Sequence, residues 1–427
     1  MNPFLPLNTY IPDGEPKVFG DRVYLYGSKD LFGGEYCCYK FHVYSAPIDN
    51  LEDWTDHGPV LASRNDYLDE GIKDTIPWSD GLLWAPDVVE CEGKYYMYFC
   101  QSDGSEGVAV SDYPHGPFLN PKRITMAGEP IKGIDPSVLK VGDDYYYTWG
   151  QGNCHIAKLN KDMCSLDETT YKDALISREE GCEGFHEASS LRKIGDWFCI
   201  VYASEYVEDF PNRGGHPTKL DYATSKNIYG PYERKGTIIN NYGIDPASWN
   251  NHGSIVKIKD EWFVFYHGSS NNCKYTRRAR IEKIEVDENL GLIKEAVMTS
   301  SGVAESIKLP VKLSPTYAYK VEGGAYFTEK GDIFPMVNVK DGSAISYRYM
   351  DFSAKKEWNI ALEGKVFCDA KATVIVDGVE VCAMGLAEGC GKAIGKFELE
   401  SEHSDVKIVF SGEAEKELVE LEMVCFE

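Results

Sequence analysis

The sequence predicts an all-β protein, a five-bladed β-propeller over residues 1–305 followed by a small antiparallel β-sandwich (jelly roll) over residues 306–427. Three observations predict it. One hairpin design recurs five times before residue 300, helical periodicity is nearly absent, and the pattern changes after Val297. Internal repetition is the strongest of these, because a stacked repeat fixes the architecture of the whole chain.

Each repeat begins with a short apolar strand, as in the runs opening at Pro16, Asp87, Pro136, Ser189 and Gly253. A tight polar turn follows (Gly20-Asp21, Glu92-Gly93, Gly142-Asp143, Gly195-Asp196, Lys259-Asp260). An aromatic and β-branched strand then opens at Arg22, Lys94, Asp144, Asp196 and Glu261. Roughly fifty to seventy residues separate the hairpins, enough for four antiparallel strands each time, which is the propeller blade. The phrases at Tyr113-Pro114 and Tyr229-Gly230-Pro231 resemble each other and suit the outer strands of successive blades. After Pro310 and Pro315 the aromatic hairpins stop. Alternating strands with Gly and Asp turns continue from Lys371, Gly395, Asp405 and Leu418, the pattern of a small sandwich.

Composition narrows the function. With 44 basic and 68 acidic side chains the formal charge is −24, which repels a phosphate backbone unless a basic stripe exists. The densest basic cluster, Arg277, Arg278 and Arg280, is too short for one. Thirteen cysteines without a paired framework, including the adjacent Cys37 and Cys38, read as free thiols in a reducing compartment. The first residues lack a basic segment followed by an apolar core, so a cytoplasmic location is expected, and no stretch is apolar enough to span a membrane.

The register of the repeats points to a site. Nine residues before each aromatic strand stand Asp13, Ala85, Asp135, Glu187 and His252. Singly, each has a plain structural reading. Asp13 precedes Gly14 and Asp135 precedes Pro136, both turn signatures, while Glu187 suits a solvent face and His252 a turn. Jointly, the innermost strands of a propeller all start near the axis, so these positions converge on one funnel. Two carboxylates plus a third acid suit glycosidic hydrolysis. One protonates the leaving oxygen, one activates water, and the third raises the pKa of the acid by like-charge repulsion. Trp84, just before Ala85, is a stacking platform for a sugar face or a core residue, and Arg277 is a second candidate for substrate contact.

These stretches resemble glycoside hydrolase family 43, five-bladed propeller enzymes acting on arabinose- and xylose-containing polysaccharides. The matching runs begin at Tyr10, Trp84, Gly133, Phe185 and Asn251 and cover all five blades. The resemblance implies Asp13 as general base, Asp135 as pKa modulator and Glu187 as general acid. It implies His252 as the axial histidine that, in many members, lies beside a hydrated calcium ion. Members invert the anomeric centre, so the base and acid are expected ~6.5–9.5 Å apart. The acid motif here is His-Glu-Ala-Ser-Ser rather than the widespread Glu-Gly-Pro form; Glu183-Gly184 offers a competing match, and the nine-residue register selects Glu187. The tail resembles a family 6 carbohydrate-binding module, with Trp358 its only tryptophan, so a sugar-binding module and a structural buttress both stand open.

The expected function is exo-hydrolysis releasing α-L-arabinofuranose, β-D-xylose or both from arabinoxylan-type oligosaccharides. Another activity of the family, such as a galactosidase, remains an alternative. So do a retaining fructan hydrolase or sialidase, whose sequence boxes are missing, and a non-catalytic sugar-binding propeller, whose three acids need not share one funnel.

Overall fold

The computed structural model describes residues 1–178, 184–205, 217–245, 247, 249 and 251–427. It is all-β, with short 3-10 turns at Asn65–Glu70 and Pro315–Tyr317. Glu183, the competing match for the acid, lies outside the described residues.

Five antiparallel sheets follow one another in chain order. The first joins β1 (Glu15–Phe19), β2 (Arg22–Tyr26), β3 (Lys40–Pro47) and β4 (Thr55–Ala62). The second joins β5 (Leu83–Cys91), β6 (Lys94–Gln101), β7 (Glu106–Ser111) and β8 (Leu119–Arg123). Two short strands, β9 (Thr125–Met126) and β10 (Glu129–Pro130), extend the third sheet beyond β11 (Ser137–Val141), β12 (Asp144–Trp149), β13 (Asn153–Leu159) and β14 (Ser165–Ser177). The fourth joins β15 (Phe185–Ile194), β16 (Trp197–Ser204), β17 (Lys219–Ser225) and β18 (Glu233–Asn240). The fifth has three strands among the described residues, β19 (Ser254–Ile258), β20 (Glu261–Gly268) and β21 (Arg278–Ile284). Its expected fourth strand is replaced by a small hairpin, Val286–Asp287 with Leu292–Ile293, whose Ile293 enters the core shared by the fourth and fifth sheets.

The aromatic strands lack polar alternation because both of their faces are covered. In β2, Tyr24 and Tyr26 enter the core shared with the second sheet, while Val23 and Leu25 enter the core shared with the fifth. The same division puts Tyr145 and Tyr147 of β12 on one side and Tyr146 on the other. Five apolar cores result, one between each pair of successive sheets and a last between the fifth and the first. Each fully buried aromatic side chain contributes about 1.5–3 kcal/mol relative to exposure.

Side chains lock the first strands to one another around a closed ring. Lys17 of β1 pairs with Asp87 of β5 at 2.8 Å, and Asp87 accepts the Val138 N–H of β11 at 2.8 Å. Ser137 of β11 accepts the Leu191 N–H of β15 at 3.1 Å, and Ser190 shares a 2.7 Å hydrogen bond with Ser254 of β19. Arg192 of β15 reaches back to Glu15 of β1, and Gly14 bridges Gly253 in parallel. That bridge requires glycine: a Cβ on Gly253 would lie 2.0 Å from the Phe265 carbonyl oxygen.

Residues after 306 form two further sheets. One runs through Ile307–Lys308, Ala344–Asp351, Ser404–Gly412, Ala370–Val376 and Val379–Leu386. The other runs through Tyr326–Phe327, Met336–Val339, Val419–Phe426, Glu357–Val366 and Lys392–Glu398. They share one apolar core, separate from the five above. Among the described residues no helix is long and apolar enough to cross a membrane.

Candidate active site

The five register positions meet. Asp13, Ala85, Asp135, Glu187 and His252 all line one cavity of about 250 Å³, together with Trp84 and Arg277. Each of the four polar ones is buried, at 5–7% exposure, so its charge must be balanced locally. The chain bends sharply where it enters the first strands. Asp13 and Asp135 sit at φ of 57° and 56°, a left-handed backbone that Asp tolerates better than most residues. Ala85 and Ala188 also have positive φ, beside bulges in the pairing of β5 and β15. Neither Asp13 nor Asp135 lies in a hydrogen-bonded turn; the left-handed backbone at each is where the chain bends into the first strand beside the cavity.

Asp13 is built to stay ionised. Burial pushes its carboxyl up, but Arg277, His252, His267 and a bond from Ser28 outweigh that and hold it below the usual range. Arg277 Nη1 donates to Asp13 Oδ1 at 2.8 Å, while its Nε and Nη2 form a fork on Asp30 at 2.8 and 2.9 Å. The Asp13 N–H donates to His267 Nδ1 at 3.3 Å. Burial and the neighbouring Arg277 push His267 down to about 3, so it is neutral and able to accept.

Asp135 and Glu187 are shifted the other way. Burial, then the Glu187 and Asp13 charges, raise Asp135 to about 7 despite the opposing pull of His252 and the Ala188 N–H that it accepts at 2.9 Å. Burial is also the largest influence on Glu187, and with Asp13 it raises the carboxyl to about 6 against the lowering effects of Gln151, His252 and Arg277. Gln151 Nε2 donates to Glu187 Oε2 at 2.5 Å. The site thus sets one carboxyl below its ordinary range against two raised to about 6 and 7, the separation an acid and base pair requires.

His252 stands between the carboxylates. Its Nδ1 lies 3.8 Å from Asp13 and 4.0 Å from Asp135, and its Nε2 lies 3.9 Å from Glu15. Burial pulls this imidazole down, and the bond with Glu15 and the charges of Asp135 and Asp13 more than reverse it, to about 9. Trp84 lines the wall, with its Nε1 buried and unpartnered. Arg277 lines the cavity too, but its donors grip Asp13 and Asp30, making it first of all the clamp on the predicted base.

Tyr36, Cys37, Ile134, Gln151 and Asp30 were not marked by the register. Tyr36 packs edge-on against Tyr275 and lies 4.9 Å from the Arg277 guanidinium. A weaker periodicity could have found some of them: Asp30, Gln151 and Glu205 stand seven to nine residues beyond the openers Arg22, Asp144 and Asp196, at the exits of second strands.

Comparison with known proteins agrees with this geometry. Residues 2–290 match the family described as glycosyl hydrolases family 43. A xylosidase/arabinosidase of Thermoclostridium stercorarium is 31% identical over 423 residues, covering 85% of each chain. A xylosidase/arabinosidase of Bacteroides ovatus is 30% identical, covering 66% of this chain and 94% of its own. Among solved structures, a family 43 arabinoxylan arabinofuranohydrolase from Bacillus subtilis in complex with cellotetraose matches in fold, with TM-score 0.56 and 21% identity, over 100% of this chain and 97% of that one. A family 43 β-xylosidase/α-arabinofuranosidase from a compost metagenome, in complex with xylotriose and described as a calcium-free form, has TM-score 0.55 and 27% identity over 68% of this chain and 96% of its own. These neighbours are β-propellers. The chain belongs to glycosyl hydrolase family 43.

Proposed function

We propose that the protein is an inverting exo-glycosidase releasing α-L-arabinofuranose, β-D-xylose or both from arabinoxylan-type oligosaccharides. The observation that carries this is the convergence of Asp13, Asp135 and Glu187 on one cavity with opposed protonation tendencies. Its volume, about 250 Å³, falls below the ~300–1,000 Å³ of sites for drug-sized ligands and suits one terminal sugar ring. A non-catalytic propeller gives no reason for three buried carboxylates to share so small a space.

In the proposed cycle, Glu187 gives its proton to the glycosidic oxygen as the bond to the anomeric carbon breaks. Asp13, kept ionised by Arg277, takes a proton from the water that attacks the opposite face. Asp135, held by the Ala188 N–H, couples to Glu187 by like-charge repulsion, so that ionisation of one carboxyl favours the proton-bearing form of the other. Trp84 lines the cavity wall as a platform for the ring.

Calcium is a separate matter. The ion takes six to eight oxygen ligands. Among the described residues no three His, Cys, Asp or Glu side chains are placed to ligate an ion together. An ion beside His252 would therefore take most of its oxygen ligands from water, with Glu15 and Asp87 already paired to Arg192 and Lys17. No step of the cycle runs through it; activity or thermal stability lost on exhaustive chelation and restored by calcium is the expected result, and neither changing would contradict a bound ion.

The five sheets are read as five propeller blades over residues 1–305, supported by the five inter-sheet cores and the closed ring of first strands. Residues 306–427 are read as a β-sandwich of the family 6 binding-module type that acts as a buttress. Trp358 supports this: it is 1% exposed, its Nε1 donates to the Lys355 and Leu399 carbonyls, and it offers no face to a sugar. A reducing compartment suits the twelve described cysteines, all of them free.

A panel of nitrophenyl glycosides tests the reading. Turnover of the α-L-arabinofuranoside or β-D-xyloside is expected, and activity confined to other sugars would overturn the substrate assignment.

A further inference from the structure

Glu187 does not stand alone on its strand. Adjacent residues of a regular strand face opposite sides, yet the bulge spanning Phe185 to Ser190, with Ala188 at φ 64°, brings the neighbouring His186 imidazole to Glu187. His186 Nε2 lies 3.6 Å from Glu187 Oε2. Its other nitrogen, Nδ1, bonds Glu205 Oε1, which also accepts Arg178 Nη2 at 2.8 Å. Backbone bonds fix both ends of this chain: the Gly152 N–H donates to the His186 carbonyl and the Glu205 N–H to the Gly184 carbonyl, each at 2.7 Å. Glu205 is buried, His186 is largely covered, and Arg178 reaches solvent.

We propose that His186, oriented by Glu205 and Arg178, is the positioning residue for the acid. The proposal rests on the reading of Glu187 as that acid. An ion-paired carboxylate can only accept, so Glu205 takes the Nδ1–H and fixes the tautomer in which the Nε2 lone pair faces Glu187. That lone pair can bond only a Glu187 that carries its proton. A hydrogen bond to the neutral form raises a carboxyl pKa, and in the proposed arrangement the 3.6 Å gap shortens to such a bond as substrate binds. After each turnover the same nitrogen faces the ionised Glu187: a proton arriving from water at Nε2 passes to Oε2, and His186 returns to its neutral form with Nδ1–H still on Glu205. Asp13, Asp135, His252, Arg277 and Tyr36 also face Glu187 across the cavity, and Gln151 bonds it from the end of β12; none of them changes in the test below.

Glu205→Leu is the sharp test. It removes the acceptor and leaves Arg178 Nη2, 3.3 Å from Nδ1, as the donor facing that nitrogen, which moves the imidazole proton to Nε2, where it favours ionised Glu187. The alkaline limb of kcat/KM then moves down by about one pH unit. Glycosides with poor leaving groups lose about tenfold at neutral pH, and dinitrophenyl glycosides, which need no proton, lose far less. His186→Phe removes the acceptor without adding a donor and moves the limb the same way by a smaller step; it carries the test if Glu205→Leu does not fold, as judged by circular dichroism. An unmoved limb in the folded variants, or equal losses on both substrate classes, overturns the proposal. Glu187→Gln run in parallel separates the two claims. Equal losses there remove the acid assignment itself, whereas unequal losses with an unmoved limb in the His186 and Glu205 variants remove only the positioning role.

Discussion

Residues 1–305 bury charges at the centre of the ring, where Asp13, Glu15, Asp87, Glu187, Arg192 and His252 lie within a few ångströms of one another's partners, and also on third strands, at Glu106, Asp221 and Glu282. Residues 306–427 keep charge out of their core. Their two buried carboxylates, Asp351 and Glu420, sit at its rim and pair with Lys308, Lys330 and Lys365, whose own side chains are 46–80% exposed. The contrast follows from cost. A buried charge needs a partner with good geometry, and a scaffold does better with apolar residues of the same volume. The first region carries that cost at many positions, Asp13, Asp135, Glu187 and His252 at the cavity among them, whereas the second keeps its buried carboxylates within reach of exposed lysines.

The largest test of this contrast removes one carboxylate from each region. Asp13→Asn is expected to lower kcat/KM on every glycoside by about 10²–10⁴-fold, the range for loss of a general base. Glu187→Ala should lose as much on poor leaving groups and much less on activated aryl glycosides. Asp351→Asn should leave both rates unchanged, and a comparable loss there would erase the distinction.

A smaller effect comes from Arg277→Met, which takes away the clamp on Asp13. The sign is fixed: the folded-state carboxyl lies below its ordinary value, so losing the cation raises it and moves the acidic limb of kcat/KM to higher pH. The same depressed carboxyl contributes stability above its unfolded pKa of about 3.9 that fades as pH falls through the folded value. Urea unfolding should therefore show the gap between Arg277→Met and the parent narrowing below about pH 4. A limb that stays in place would mean Arg277 serves substrate and not the base.

The smallest expected effect lies at the junction. Tyr10 OH donates to Glu329 Oε2 at 2.5 Å, and Arg278, next to Arg277, lies 4.7 Å from the Tyr10 ring and 5.8 Å from that of Phe334. Glu329→Gln should cost about 1–2 kcal/mol of stability by thermal melting with sugar preference unchanged. A changed preference would show that the second region shapes the site.

How much was legible follows from the same contrast. The register found Asp13, Asp135, Glu187 and His252 because the innermost strand is the most regular part of each repeat, and a fixed spacing maps onto a fixed distance from the axis. Asp30, Gln151 and Glu205 escaped it because they leave second strands at offsets that vary from repeat to repeat. Tyr36 and Cys37 come from the segment between β2 and β3, which has no counterpart in the register. The partner of Arg277 was hidden for the same reason: 247 residues separate it from Asp30. In the fifth sheet the expected fourth strand gave way to a hairpin, whose Ile293 is buried in the core shared with the fourth sheet.

The account's central claim is that Asp13 activates water on the face opposite the proton delivered by Glu187. Proton NMR of the sugar first released from the active nitrophenyl glycoside tests it most directly. The account predicts the inverted anomer, β-L-arabinofuranose from an α-L-arabinofuranoside or α-D-xylose from a β-D-xyloside, before mutarotation sets in. Release of the retained anomer would contradict it.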